Sequence, residues 1–313
     1  MSLFGAGRQG MCARMTSLVM LDGRIVGPEE ARVSVFDRGF LYGDSVFETI
    51  RTYGGRPFEL VAHVDRLERS ARRVYIDLPV APESIAREIE RVVASAANPE
   101  SYIRVMITRG SGDLGLEPDE HVAPLRVVIV TPLRTPPPQA YRSGIRVVTF
   151  RTRRTVDATA AAGAKVANYL VSVLAMREAK ATGAAEALVV DGDGCVVEGA
   201  TSNVFALIGG RLVTPPEDAG ILPGITRARL MEAARQLQLP LELRALPLEE
   251  LRGAQELFVS SSIRELLPVV ALDSTPIGAG VPGATTLKLL RRFRENVKKD
   301  MGLSDLPGGD PAG

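Results

Sequence analysis

The chain has 313 residues, of which 45% are hydrophobic and 24% are charged, with a formal net charge of +1. These values are typical of a globular protein of about two domains, and they argue against a nucleic-acid or anionic-membrane partner. Its two cysteines, Cys12 and Cys195, form neither a disulfide framework nor a zinc motif, which favours the cytoplasm. No apolar run approaches the roughly 20 residues of a membrane-spanning helix. No metal site is expected. Residues 1–15 lack a signal-peptide core and are interpreted as a disordered lead.

The stretch 16–131 predicts a small α/β domain. An Asp-Gly turn at 22–23 predicts a hairpin in SLVMLDGRIV, and a Gly-Gly pair at 54–55 predicts a second hairpin. Apolar residues at helical spacing predict a helix over 60–77 and another in SIAREIERVVASA. The runs YIRVMIT and LRVVIV predict strands.

A proline cluster, TPLRTPPPQ, predicts an extended linker over 132–139 and a domain boundary. After it, 140–302 predicts a larger domain. Its helices are expected in NYLVSVLAMREAKATG, TRARLMEAARQLQ and ATTLKLLRRFRENVKKD, and its strands in IRVVTF, EALVVD, VFALIGGRLVTPP, ELFVSS and PVVAL. Residues 303–313 are interpreted as a disordered tail.

Lys165 lies in the small-residue run AAAGAKVANYL, in a chain where only five of 38 Lys+Arg residues are lysines. Because a guanidinium does not deprotonate in proteins, a lysine here indicates a need for an amine nucleophile. The alternative is a solvated lysine at a helix start. If a helix starts near Ala164, Tyr169 lies about one turn away on a similar face. Tyr169 is then either a hydrogen-bond donor to the lysine's ligand or a half-buried helix aromatic.

Three other segments carry polar groups that the architecture does not require. Glu198, in VEGATSNVF between strands, is either a partner for a protonated ring nitrogen or a turn acid. Thr226, in GILPGITRARL, lies at a predicted helix N-terminus, which is either a phosphate site or a plain N-cap. Ser260 to Ser262 add hydroxyls near the same point. Arg66, in HVDRL, is either a phosphate clamp or a surface arginine. An amine, a carboxylate for a ring nitrogen and an anion site together match pyridoxal 5'-phosphate (PLP).

The chain resembles the fold-type IV, class IV PLP-dependent aminotransferases. The motifs, in order, are DRGFLYGDSVFETIR, HVDRL, YIRVMITRG, KVANYL, EGATSNVF, LPGITR and FVSSS. The resemblance runs from about Val19 to Arg294. It implies a mixed α+β fold with a small α/β domain and a larger domain with a β-barrel-like core. The active site would lie between the domains, near a dimer interface.

The resemblance also implies a role for each matching residue. Lys165 would bond the aldehyde of PLP and move a proton, Glu198 would keep the ring nitrogen protonated, and Tyr169 would bind the phenolic oxygen. The implied phosphate ligands are Arg66, Ile225, Thr226 and Ser262, the last at a position where the family more often has threonine. The implied substrate pocket, partly supplied by a partner subunit, contains Tyr42, Phe47, Tyr102 and Arg104.

Several family members compete as the specific function. The YGDSVFE and YIR motifs favour a transaminase acting between a branched-chain L-amino acid and a 2-oxo acid such as 2-oxoglutarate, although KVANY is one residue shorter than usual. D-amino acid transaminases share that spacing, but they carry an arginine and a histidine after ITRG. Here His121 is present without an arginine between 110 and 125. An aminodeoxychorismate lyase would use a threonine such as Thr49. A PLP or metabolite binder without turnover is a further alternative.

Overall fold

The computed structural model describes residues 16–117, 122–152 and 161–306. The predicted lead, Cys12, His121 and the last seven residues lie outside these ranges. The described strands are β1 (Leu18–Leu21), β2 (Arg24–Val26), β3 (Ser45–Tyr53), β4 (Arg56–Pro57), β5 (Ser101–Thr108), β6 (Arg126–Pro132), β7 (Ile145–Arg151), β8 (Glu186–Val190), β9 (Cys195–Gly199), β10 (Asn203–Ile208), β11 (Arg211–Thr214), β12 (Leu241–Leu243), β13 (Leu246–Pro247), β14 (Glu256–Ser261), β15 (Glu265–Leu272) and β16 (Thr275–Pro276). The described α-helices are α1 (Arg38–Tyr42), α2 (Leu60–Arg73), α3 (Pro82–Ala96), α4 (Pro138–Ser143), α5 (Leu170–Ala181), α6 (Ile225–Gln236), α7 (Leu248–Arg252) and α8 (Ala284–Met301).

The first sheet is antiparallel and has the strand order β2-β1-β6-β5-β3-β4. Its two predicted hairpins are confirmed, since Leu21 pairs with Arg24 and Tyr53 pairs with Arg56. Helices α2 and α3 bury their apolar faces on this sheet, and Ile85 and Ile89 of α3 are fully buried. Burying each such side chain contributes roughly 1.5–3 kcal/mol.

The second sheet is mixed, with the order β12-β11-β10-β14-β15-β7-β8-β9-β13 and with β16 paired to β15. Parallel pairs join β7 to β8 and to β15, whereas β10, β14 and β15 pair antiparallel. Helices α6 and α8 pack against this sheet around a large apolar core. Both sheets are curled, so the predicted mixed fold with a β-barrel-like core is confirmed.

The connection between the sheets is shorter than the predicted linker. Strand β6 continues to Pro132, and α4 already begins at Pro138. The expectation that the proline run excludes a helix is wrong, because Pro138 occupies the first helical position, where a missing N–H costs nothing. In the predicted tail, Leu306 is buried against the second core. The division into a small and a large domain stays a prediction.

Candidate active site

A cavity of about 460 Å³ lies between the two sheets and brings the predicted cofactor residues together. It is lined by elements of both sheets and by the connector after β6. Every predicted cofactor residue lines it, namely Arg66, Lys165, Tyr169, Glu198, Ile225, Thr226 and Ser262. Residues that are far apart in sequence therefore form one site.

Lys165 lies in an extended segment that pairs with the edge of β3. The Phe47 N–H donates to the Lys165 carbonyl at 2.9 Å, and the Ala167 N–H donates to the Ser45 carbonyl at 3.0 Å. The Lys165 N–H donates to Ser70 Oγ of α2 at 3.1 Å. These bonds satisfy the backbone groups of the segment and fix the direction of the lysine side chain.

The helix predicted to start near Ala164 begins instead at Leu170. Strand-edge pairing overrides the helix propensity of the alanine-rich run, because propensity is a weak determinant beside tertiary contacts. The segment also packs closely on the turn after α1, where a Cβ on Gly43 would lie 2.1 Å from Asn168 Oδ1. Tyr169 nevertheless reaches the lysine, whose Nζ donates to the tyrosine hydroxyl at 3.4 Å.

The Lys165 amine faces the cavity in a mostly apolar setting. Its Nζ lies 4.6 Å from the centroid of the Phe47 ring. Burial lowers its pKa from 10.5 to about 8, although the carboxylates of Glu48 and Glu198 raise the pKa and the Arg66 guanidinium lowers it further. A substantial fraction of the amine is therefore neutral near pH 8 and able to act as a nucleophile.

Glu198 lies within β9, opposite Val189 of β8, and the prediction that it lies between strands is wrong. Its Oε2 accepts a hydrogen bond from the Leu222 N–H at 3.1 Å. Burial raises the pKa of Glu198 to about 7, although the Leu222 N–H and the Lys165 charge oppose this shift. A cationic ring nitrogen beside this carboxylate would favour its ionised form, and the carboxylate would keep that nitrogen protonated.

The N-terminus of α6 points at the same cavity. Helix α6 begins at Ile225, and its N-cap is Gly224, which supplies no side-chain cap. The alternative that Thr226 is a plain N-cap is therefore wrong. A Cβ on Gly224 would lie 1.9 Å from Asn203 Oδ1, so this close approach requires glycine. The first N–H groups of the helix remain available to an anion.

A buried hydroxyl adds to this anion site. Among the described residues, Ser260 Oγ is buried and has no hydrogen-bond partner, and Ser260 lines the cavity together with Ser262. A buried hydroxyl without a partner is costly, and a bound ligand oxygen would satisfy it. The sequence analysis gave the phosphate role to Ser262 and mentioned Ser260 only as part of the serine run.

Arg66 reaches the cavity from α2, and Glu48 holds its guanidinium. Arg66 Nε and Nη2 donate to the two Glu48 carboxylate oxygens at 2.7 and 2.8 Å, and Nη1 donates to the Pro223 carbonyl at 2.9 Å. His63 Nδ1 lies 2.7 Å from Glu48 Oε2. Burial alone would raise the pKa of Glu48, but Arg66 and His63 outweigh burial and lower it to about 2. The ionised Glu48 therefore fixes and largely neutralises Arg66.

A second buried carboxylate, Glu186 of β8, supports the opposite wall. It is fully buried, and its Oε2 accepts hydrogen bonds from Thr201 Oγ1 at 2.7 Å and Ser202 Oγ at 3.1 Å, and from Arg264 Nη1. Arg264 Nη1 also donates to Thr201 Oγ1 at 2.9 Å. These bonds join the turn after Glu198 to the turn after β14, and both turns line the cavity.

The sequence analysis gave neither Glu48 nor Glu186 a supporting role. The available signal is a carboxylate within an apolar strand, as in VFETI and EALVV. A charged residue in such a position is rarely buried without a partner.

Three of the four predicted substrate residues, Phe47, Tyr102 and Arg104, line the cavity. The Arg104 guanidinium carbon lies 3.9 Å from the Phe47 ring centroid. Tyr42 does not line the cavity of its own chain, and its hydroxyl accepts a hydrogen bond from the Gly115 N–H at 3.0 Å. Its contact with substrate across a subunit interface stays a prediction.

The family follows from comparison with known sequences. A family model described as "Amino-transferase class IV" matches residues 45–272, which is most of the chain and includes the lysine, the glutamate and the helix N-terminus of the cavity. This chain belongs to the class IV aminotransferases. It is a PLP-dependent aminotransferase with a fold-type IV, branched-chain aminotransferase-like structure, as predicted.

Named relatives of this aminotransferase include two kinds. The "Putative branched-chain-amino-acid aminotransferase" of Methanocaldococcus jannaschii is 38% identical over 277 residues, covering 88% of this chain and 95% of the relative. The D-alanine aminotransferase of Bacillus licheniformis is 30% identical over 279 residues, covering 89% and 96%.

A solved branched-chain amino acid aminotransferase, from the organism abbreviated T.th., has a similar fold. Its crystal structure with pyridoxamine 5'-phosphate superposes with a TM-score of 0.85 at 32% identity, covering 91% of this chain and 95% of that one. The same enzyme has also been crystallised with N-(5'-phosphopyridoxyl)-L-glutamate and with 4-methylvaleric acid.

The residues of the cavity fit PLP. The orphaned Ser260 hydroxyl and the α6 N-terminus match a phosphate, and Glu198 matches a pyridine nitrogen. Lys165, with its pKa lowered to about 8, matches an aldehyde. When bound, PLP acts as an electron sink for the substrate carbon. Lys165 would then move the proton at that carbon, and Tyr169 would donate to the phenolic oxygen.

We expect the covalent capture of PLP by the apoenzyme to accelerate with pH up to about pH 8 and then to level off. Below the pKa of Lys165, which burial lowers to about 8, the neutral amine fraction grows about tenfold per pH unit. Stopped-flow absorbance between about pH 6 and about pH 10 measures the rate. A rate that still rises at the alkaline end, as for an exposed lysine, would contradict the lowered pKa.

Within the described ranges, no group of three or more His, Cys, Asp or Glu could hold a metal ion. None of the described helices has the length and apolar character needed to span a membrane.

Proposed function

We propose that this aminotransferase moves an amino group between a branched-chain or similar hydrophobic L-amino acid and a 2-oxo acid such as 2-oxoglutarate. The observation that carries this choice is the segment after β5, which contains no arginine between 110 and 125. A D-amino acid transaminase would be expected to grip its substrate carboxylate with an arginine there. The relative named for branched-chain substrates is also more similar, at 38% identity against 30%.

The cavity wall supports a hydrophobic substrate side chain next to a carboxylate. Phe47 and Tyr102 offer aromatic surface, and Arg104 offers a guanidinium beside the Lys165 amine. Aromatic rings bury aliphatic groups well, and arginine binds carboxylates bidentately.

We also propose a homodimer in the cytoplasm. The support for the dimer is an apolar patch that a single chain leaves exposed, in which Arg38 donates to the carbonyls of Gly115 and Leu116. The exposed members of this patch are Val35, Phe36, Phe40, Leu114 and Leu116. Patches of this kind mark interfaces. The support for the cytoplasm is the low cysteine content.

Two alternatives have a specific observation behind them. Relatives named D-alanine aminotransferase at 30–31% identity favour a D-amino acid transaminase. Thr49 lines the cavity, which favours an aminodeoxychorismate lyase. The binder without turnover is set aside because the chain belongs to an enzyme family.

A parallel assay of L-leucine, D-alanine and aminodeoxychorismate tests the proposal. With 2-oxoglutarate as acceptor, we expect kcat/KM for L-leucine to exceed that for D-alanine by at least about 100-fold, because the wrong stereoisomer misplaces its side chain or its carboxylate. Activity with D-alanine alone, or pyruvate release from aminodeoxychorismate alone, would replace the proposal by the corresponding alternative.

A further inference from the structure

Of the described residues that line the cavity, four are arginines, and two of these are already paired with buried carboxylates. Arg66 makes a two-point ion pair with Glu48 at 2.7 and 2.8 Å. Arg264 pairs with Glu186, which is fully buried. These two guanidinium groups are therefore held in place and largely neutralised by the protein itself.

The other two arginines differ in this respect. Among the described residues, neither Arg104 nor Arg134 makes an ion pair or a side-chain hydrogen bond with a carboxylate. Arg104 is half-buried in β5 and stacks on the Phe47 ring at 3.9 Å, the ring that Lys165 Nζ also approaches at 4.6 Å. Arg134 is exposed and belongs to the connector between β6 and α4, which forms an outer part of the cavity wall.

The cavity therefore offers more positive charge than a monocarboxylate can neutralise. Of the described residues that line it, Glu198 is the single carboxylate, and Glu198 faces the ring of the cofactor. The phosphate of the cofactor is accounted for by the α6 N-terminus, the serine hydroxyls and Arg66. Arg104 and Arg134 then remain for the substrate. Two such guanidinium groups, one beside the reacting amine and one further out, match two carboxylates on one substrate.

We propose that Arg134 is a specificity-determining residue that binds the second carboxylate of a dicarboxylic substrate, such as a five-carbon 2-oxo diacid, while Arg104 binds the first. The inference rests on the proposed function, because it assumes that one of the two exchange partners is a diacid. A hydrophobic L-amino acid uses only one of the two arginines. The site thus distinguishes its two substrates by charge.

Ligand binding to the holoenzyme tests this inference without turnover. Calorimetric titration compares glutarate, which has two carboxylates, with 4-methylvalerate, which has one. For Arg134→Ala we expect the Kd of glutarate to rise about 5- to 20-fold, as for a charge-assisted hydrogen bond at a partly exposed site, and the Kd of 4-methylvalerate to change less than about twofold. Arg134→Lys should retain most of the glutarate affinity, and Arg134→Glu should lose more than Arg134→Ala.

Steady-state kinetics should show the same selectivity. The KM for 2-oxoglutarate should rise in Arg134→Ala, and the KM for 2-oxo-4-methylpentanoate should not. Arg142→Ala is the matched control, because Arg142 is an exposed arginine of the neighbouring α4 that does not line the cavity. Equal weakening of glutarate and 4-methylvalerate in Arg134→Ala, or an unchanged glutarate affinity, would overturn the inference. Failure of the proposed function would appear separately, as wild-type enzyme that does not transaminate L-leucine with 2-oxoglutarate.

Discussion

Replacing Lys165 with alanine is expected to lower the rate constant of transamination by at least about 10⁴-fold, the scale of losing a covalent nucleophile. The side chain supplies both the amine that bonds the cofactor and the group that moves the substrate proton. Its position on the edge of β3 is set by backbone bonds at 2.9 and 3.0 Å that do not involve the side chain. The variant should therefore fold, and its lost activity should reflect chemistry.

Arginine at the same position separates charge from nucleophilicity. Lys165→Arg keeps a cation in the cavity, but a guanidinium does not deprotonate, so we expect no recovery of turnover. Lys180→Ala is the control, since Lys180 is an exposed lysine of α5, and its activity should equal that of the wild type. Substantial transamination by Lys165→Arg would show that the catalytic amine lies elsewhere.

Replacing Glu198 with glutamine should reduce kcat by about 10²- to 10³-fold, the usual effect of removing one preorganised electrostatic partner. Burial already raises the pKa of this carboxylate to about 7, so its charge is held in a setting of low polarity, where it acts strongly on a cationic ring. Glutamine keeps the size of the side chain and an oxygen for the Leu222 N–H. It removes the charge that keeps the ring nitrogen protonated.

The absorbance of the bound cofactor should also change in Glu198→Gln, because the ring nitrogen loses its proton more easily. The control is Glu88→Gln, which alters a partly buried carboxylate paired with Arg126 in the first sheet, outside the cavity. That variant should affect thermal stability and leave kcat unchanged. If Glu198→Gln kept more than about half of the wild-type kcat, the electrostatic role of Glu198 would be refuted.

The residues that carry the chemistry could be found from the sequence because their identity is unusual where they stand. Lys165 is one of five lysines among 38 basic residues, and Glu198 stands beside a run of small polar residues. Motif order then connected these residues to one family. The structure places every predicted cofactor residue around one cavity.

Contacts between distant segments could not be predicted in the same way. The pairing of the Lys165 segment with β3 joins positions far apart in sequence, and no local pattern predicts it over a helix in an alanine-rich run. Arg264 and Glu186 are 78 residues apart. Strand β9 was missed because its short apolar run follows an Asp- and Gly-rich turn, which resembles a loop.

The central claim is that the ε-amine of Lys165 bonds the aldehyde of PLP within this cavity. Borohydride reduction of the holoenzyme, followed by proteolysis and mass spectrometry, tests that claim most directly. The account predicts one phosphopyridoxyl group per chain, on the peptide that contains Lys165. Modification of a different lysine, or no modification after reduction of the PLP-loaded protein, would contradict it.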